Sequence, residues 1–371
     1  MGSLSAKEGR GMGNKAATLR LPRAAVLLTV LAVAVAALLV VVGQTRAAGG
    51  NSFTVHNLVS DGSVPADHVD PNLVNGWGIT RGPTTPWWVS DNGTDKSTLY
   101  RGDGSIVPLV VTVPGGPTGT VFNGGPSFVL KGVGPARFLF ATEAGMIRGW
   151  NPAVQATEAV VAADRSREHA IYKGLAIAST SAGDRLYAAD FHNARVDVFN
   201  GSFQVVFIPG AFKDPNLPSG YAPFGIQNIG GLIYVAYAKQ DADREDEIAG
   251  AGFGFVDVYD ANGTFLRRAI SGGALDAPWG LALAPAGFGE FGGDLLVGNF
   301  GNGWINAYRI TASGQFQFHA ALRNTSGQPI VIDGLWGIGF GNDSAAGPST
   351  SLFFAAGPDD EAHGLFGVIH P

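Results

Sequence analysis

The chain has 371 residues, 46% of them hydrophobic and 15% charged, with 55 glycines and no cysteine. Six of its 24 bases and one of its 30 acids lie in residues 1–50, which leaves 18 bases against 29 acids, a balance of −11, in the remainder. That balance argues against a nucleic-acid partner, which needs a basic face, and the missing cysteines exclude a disulfide framework.

At the N-terminus Lys7, Arg10, Lys15, Arg20 and Arg23 precede the apolar run AAVLLTVLAVAVAALLVVVG at 24–43. This is the layout of an export signal, with cleavage expected after Ala47 in the small-residue stretch TRA. The run is also close to the length of a membrane-spanning helix with its basic end inside. Residues 1–47 therefore read as a signal peptide or membrane anchor, built on a hydrophobic helix. Residues 48–371 read as one exported domain, secreted or at the cell surface, touching a membrane only through the N-terminal segment.

From residue 75 onward a pattern recurs about every fifty residues. Its first part is NGWGI (75–79), KGLAI (173–177), PFGIQ (223–227), PWGLA (278–282) and LWGIG (335–339), with PSFVL (126–130) filling the gap. A second apolar run follows each: PWWVSDN, RFLFATE, RLYAADF, LIYVAYA, DLLVGNF and SLFFAAG. Third elements such as STLYRGDG and GFVDVYDANG end in turn residues, and fourth ones such as SIVPLVVTV, SFQVVFIPG and TFLRRAI follow. Four strands repeated six times predict an all-β fold, a six-bladed β-propeller. The sixth copy stops at its third strand, GLFGVIH, while SFTVHNLVS at 52–60 precedes the first copy with no blade of its own. That segment is expected to supply the missing outer strand and close the ring. Glycines beside Trp77, Trp279 and Trp336 are expected to let inner strands crowd the axis while the indoles fill the core.

Several short motifs carry less than they promise. GFGEFGG at 287–293 has the G-x-G-x-x-G spacing of a dinucleotide loop, but a strand, DLLVGNF, follows where a helix is required. The acid run DADREDE at 241–247 has Asp246 where an EF-hand needs Gly and Gly252 where it needs Glu. It reads as a long loop of the fourth blade, able to cover the channel mouth. Arg101, Gly102 and Asp103 spell RGD inside an expected hairpin turn. No G-x-S-x-G or H-E-x-x-H is present. The loops expected on one face are polar, with Asp91, Asn92, Glu143, Asp190, His192, Asn193, Asn299, Asn302, Asp359 and Asp360. Such oxygen donors suit a hard cation such as Ca²⁺, and they equally suit solvated loops.

NLVSDGSVPADHVDPNLVNGWGI, YVAYAKQDAD with GFVDVYD, and APWGLALAPAGFGEFGGDLLVGNFGNGWINAY resemble an uncharacterised family of exported bacterial proteins, some with PEP-CTERM segments. The resemblance spans about residues 52–371 and implies no activity; the final GLFGVIHP does not match a PEP-CTERM segment. More distantly the repeats are similar to NHL-type propellers and to the gluconolactonase group. That likeness implies an axial Ca²⁺ held by amides and carboxylates, for which Asn75, Asn123, Glu143, Asp190 and Asp241 are the candidates. Lys173, Pro223, Pro278 and Leu335 interrupt any complete ring of ligands, and no histidine falls where an NHL-type lyase needs one. The expectation is a monomeric binding protein of the cell envelope or exterior, taking a small molecule, glycan or protein at its channel face. A Ca²⁺-dependent hydrolase or lactonase and a structural envelope protein stand as alternatives.

Overall fold

The computed structural model describes residues 50–371; the expected signal or anchor segment falls outside the described residues. Among the described residues the helices are three short 3-10 turns, Asn92–Thr94, Ser166–Glu168 and Gly289–Phe291. None is long and apolar enough to cross a membrane. Everything else regular is strand: six blade sheets around one axis, antiparallel except where Val59–Ser60 pairs in parallel with His68–Val69, and one two-stranded side hairpin.

Blades 1 to 5 begin with the inner strands Gly76–Thr80, Pro117–Phe122, Tyr172–Thr180, Tyr221–Ile229 and Pro278–Leu283, and blade 6 with Leu335–Phe340. Each inner strand neighbours the next, and the sixth neighbours the first. The six strands can approach because each carries a glycine facing the next strand's backbone. A Cβ on Gly78, Gly119, Gly174, Gly225, Gly280 or Gly337 would lie 2.0–2.7 Å from a backbone atom of the following blade. The nearest atom in each case is backbone and cannot swing aside as a side chain can, so the ring is built at glycine spacing.

Burial explains why the four parts of the repeat look different. Second strands such as Trp87–Asp91, Phe138–Thr142, Leu295–Asn299 and Leu352–Ala356 are buried at every position, between neighbouring blades on both faces. They read as unbroken apolar runs. Outer strands such as Ile106–Thr112, Phe265–Ser271 and Phe316–Ala321 mix exposed and buried positions at the rim. Where third strands end, Asp103, Asn151, Asn200 and Asp260 each accept the backbone N–H two residues on, at 2.8–3.0 Å. The aspartate of the RGD sequence is therefore a turn former.

Two blades depart from the expected register. In blade 2 the inner strand is Pro117–Phe122; part of PSFVL forms a small side hairpin in which Val129–Leu130 pairs with Gly134–Pro135. Blade 3 has three strands, because SFQVVFIPG makes a single bridge, Phe199 to Val205, and then leaves the sheet. Pro209 has no N–H to continue the ladder, and Phe207 is left 86% exposed. In blade 6 the strand Leu365–His370 pairs on its outer side with Thr54–Ser60. Just before that pairing, Phe53 packs on Phe288 and Phe291, at ring-centroid distances of 4.9 and 5.7 Å. GFGEFGG thus belongs to a 3-10 turn between the first two strands of blade 5, where its phenylalanines enter the core.

Candidate functional site

The residue before each ring glycine sits at the axis. These residues are Trp77, Thr118, Lys173, Phe224, Trp279 and Trp336. Trp77 and Trp336 stack at 3.7 Å, and Phe300, Phe224 and Trp279 pack on Trp336 at 4.1, 5.5 and 5.9 Å. The aromatic group plugs the middle of the channel. The inner strands line a cavity of about 60 Å³, with room for a few waters at roughly 10–15 Å³ each. A small-molecule pocket of roughly 300 Å³ or more is larger than this.

Lys173 is the one cation among the six axial residues. Its side chain is 1% exposed, and its Nζ donates to Glu143 Oε1 at 2.6 Å and to Asp246 Oδ1 at 2.9 Å. The ammonium also lies 5.1 Å from the centre of the Trp77 ring. Burial alone would lower its pKa, but the two carboxylates outweigh burial and push it up. Lys173 is thus a fixed positive charge, unsuited to act as a free amine nucleophile or base.

The polar layer extends from there. Asn92 Nδ2 donates to Glu143 Oε2 at 2.8 Å, and Asn75 Nδ2 donates to Asn92 Oδ1 at 3.3 Å and Glu361 Oε1 at 3.0 Å. Asn75 Oδ1 accepts from Trp336 Nε1 at 3.0 Å, which joins this layer to the plug. Glu247 feels the charges of Lys173, Glu361 and Asp246, and burial pushes its carboxyl up to about 8. Burial also raises Glu361, with Glu143 and Asp246 adding to the shift and Asn75 and Lys173 opposing it. Four carboxylates from blade 2, the blade 4 loop and blade 6 thus act on one ammonium.

The five expected metal ligands divide. Asn75 and Glu143 meet through Asn92 in this layer. Asn123 follows its inner strand, at the opposite end from Asn75, because the strand lies earlier than PSFVL implies; its Nδ2 donates to Ser127 O and Ala136 O. Asp190 is fully buried in blade 3, where it accepts from Ile171 N and Asn193 and pairs with Arg195 at 3.2 Å. Asp241 caps its own loop by accepting from Glu245 N at 3.0 Å. Among the described residues no group of three or more His, Asp or Glu could hold a metal ion. A Ca²⁺ ion needs six to eight oxygens, and an ammonium already lies between the two nearest carboxylates, so these residues do not fit that ion. Lys173 and Glu361 were not expected in the site. Aligning Lys173-Gly174-Leu175 with Trp77-Gly78-Ile79, two residues off the register of the quoted segments, places Lys173 at the axis, and that shift was the available signal.

No family model matches the chain. One uncharacterised protein of Acanthamoeba polyphaga mimivirus is 32% identical over 334 residues, covering 86% of this chain and 80% of its own length. A second from the same virus is 31% identical over 337 residues, covering 86% of each. These relatives are viral, whereas the sequence resemblance implied bacterial ones. Among solved structures, a protein of unknown function from Bacteroides thetaiotaomicron matches with a TM-score of 0.56 at 11% identity, over 86% of this chain and 76% of that one. The soluble aldose sugar dehydrogenase of Escherichia coli matches with a TM-score of 0.53 at 11% identity, over 86% and 100%. At such identity the likeness is one of fold alone.

Proposed function

The chain belongs to the family of these two mimivirus proteins, and from that premise we propose that it is a binding protein whose acidic channel mouth takes a cationic ligand. The observation that carries this reading is the charge imbalance at the axis: Glu143, Asp246, Glu247 and Glu361 act on the single ammonium of Lys173. Burial holds the proton on Glu247 up to about pH 8 despite the nearby Lys173, and a second cation docked beside it would favour ionisation and pairing. The basic and apolar segment of residues 7–43 favours action outside the cytoplasm.

Thermal unfolding with added spermidine, an arginine-rich peptide and Ca²⁺, each at several ionic strengths, tests the proposal. A ligand at a hundred times its Kd should stabilise the protein by about 2.7 kcal/mol. The organic cations should raise Tm, high salt should weaken the effect, and Glu361→Gln should reduce it. Absence of any shift with all three would remove the cation reading, and a shift with Ca²⁺ alone would replace it with a metal site.

A further inference from the structure

The loop of residues 241–248 belongs to blade 4 but is tied to blade 3. It follows the strand Leu232–Gln240, turns through Arg244 in the left-handed region (φ 61°), and returns as Glu247–Ile248, which pairs with Gln240 and Lys239. Two bonds close the turn on itself, Asp241 N to Asp246 O at 2.9 Å and Glu245 N to Asp241 Oδ1 at 3.0 Å. Residues 242–246 are exposed. What ties this tip to another blade is Asp246 Oδ1, accepting from the axial Lys173.

The two ends of that tie are unequal. Lys173 is buried and keeps Glu143 and the Trp77 ring if Asp246 departs. Asp246 is 70% exposed, so its carboxylate gives up little by returning to water. An ion pair with one end in solvent is weak and sensitive to salt. The remainder of the tip bonds to itself and can swing as a unit on the short Glu247–Ile248 ladder. Lys173, which Asp246 meets, also holds Glu143, and Glu361 of blade 6 is near enough to act on Glu247.

We infer that residues 241–248 form a lid over the axial mouth, latched where Asp246 meets Lys173. That the lid admits a ligand rests on the binding role proposed above; that it is latched does not.

Trypsin tests the latch on the intact protein without any ligand, because Arg244 at the exposed tip becomes a substrate only when the tip can extend into the protease. The cut after Arg244 is followed by mass spectrometry, with each rate divided by that of a free peptide of the same sequence under the same salt. Asp246→Ala, on the exposed loop, should be cut about two- to fivefold faster than the parent at low salt, the factor expected for releasing a half-exposed ion pair. Addition of about 1 M NaCl, where the screening length is about 3 Å, should bring the parent to the rate of the variant. Lys173→Met should accelerate the cut by the same factor, and the double variant no further, since both remove one contact. Equal rates for parent and Asp246→Ala at low salt would overturn the latch, as would acceleration that adds up in the double variant. If Lys173→Met does not fold, the Asp246→Ala and salt comparisons decide alone. Failure here leaves the cation titrations untouched, and failure of those titrations leaves the latch standing.

Discussion

Asn75 holds the mouth to the plug at the scale of one side chain. Its backbone lies in the left-handed region (φ 48°), which asparagine tolerates better than most residues, and its amide is divided among Trp336, Asn92 and Glu361. Asn75→Ala should leave the buried Trp336 Nε1 without a partner and cost about 2–3 kcal/mol in denaturant unfolding. Asn75→Gly, which restores the backbone freedom but not the amide, should recover only a minor part of that loss. Glu247 makes a second test, through pH. Its folded-state pKa of about 8 stands above the ordinary 4.5, so folding takes up a proton between those values. Its contribution to stability is complete at low pH, declines as pH rises above about 4.5, and is gone by about pH 8. Asp257, which burial holds up to about 7, acts in the same direction, so the quantity to measure is the difference between the parent and Glu247→Gln. The variant should lose less stability than the parent between pH 5 and 8; parallel curves would remove Glu247 from the account. Sequence could nominate Asn75 because it immediately precedes a recognisable inner strand, GWGIT. It took Lys173 for an interruption, since a lysine acquires its meaning from Glu143 and Asp246, which are distant in the chain.

At the scale of the strand, the glycine ring sets how near the blades stand. A Cβ at Gly225 would lie 2.0 Å from the carbonyl oxygen of Trp279, so an alanine there must push one inner strand from the next. Gly298→Ala is the informative contrast, because its Cβ would meet the Leu335 side chain at 3.2 Å, and a side chain can move. Gly225→Ala should cost about 1–3 kcal/mol or more, and Gly298→Ala distinctly less, by the same denaturant measurement. Comparable losses would mean that the inner strands separate freely. The ring was legible wherever an aromatic residue precedes its glycine, as at Trp77, Phe224, Trp279 and Trp336. In blade 2 the same place is Thr118, whose hydroxyl donates to Tyr172 O at 2.7 Å. Without an aromatic signature the inner strand was sought at PSFVL, and Asn123 was carried with it to the wrong end. In blade 3 the apolar run VVFI suggested an outer strand, but periodicity does not show that nothing covers Phe207.

For the molecule as a whole, the pairing of Thr54–Ser60 with Leu365–His370 joins two segments more than 300 residues apart in one sheet. Propeller blades bury most of their apolar surface between neighbours, and the first and last blades do so directly, through the Trp77–Trp336 stack, the shared core of Trp87 and Phe353, and the bonds of Asn75 to Trp336 and Glu361; the N-terminal strand adds to that junction from within the last blade. Leu58 and Val59 are buried in that packing, as is Phe53 against Phe288 and Phe291. Removing residues 51–60 should expose the edge of Leu365–His370 and unseal the blade 5 core, converting a single unfolding transition into a broad one at much lower denaturant. A milder variant guards against simple failure to fold: Phe53→Ala should cost about 3–5 kcal/mol, the usual range for emptying a buried aromatic site. If the strand closes the ring, the loss will spread beyond blade 5. Amide exchange in the second strands of blades 1 and 6, Trp87–Asp91 and Leu352–Ala356, should then accelerate together with that in Leu295–Asn299. Acceleration confined to Leu295–Asn299 would reduce the N-terminal strand to local cover on a ring that closes without it.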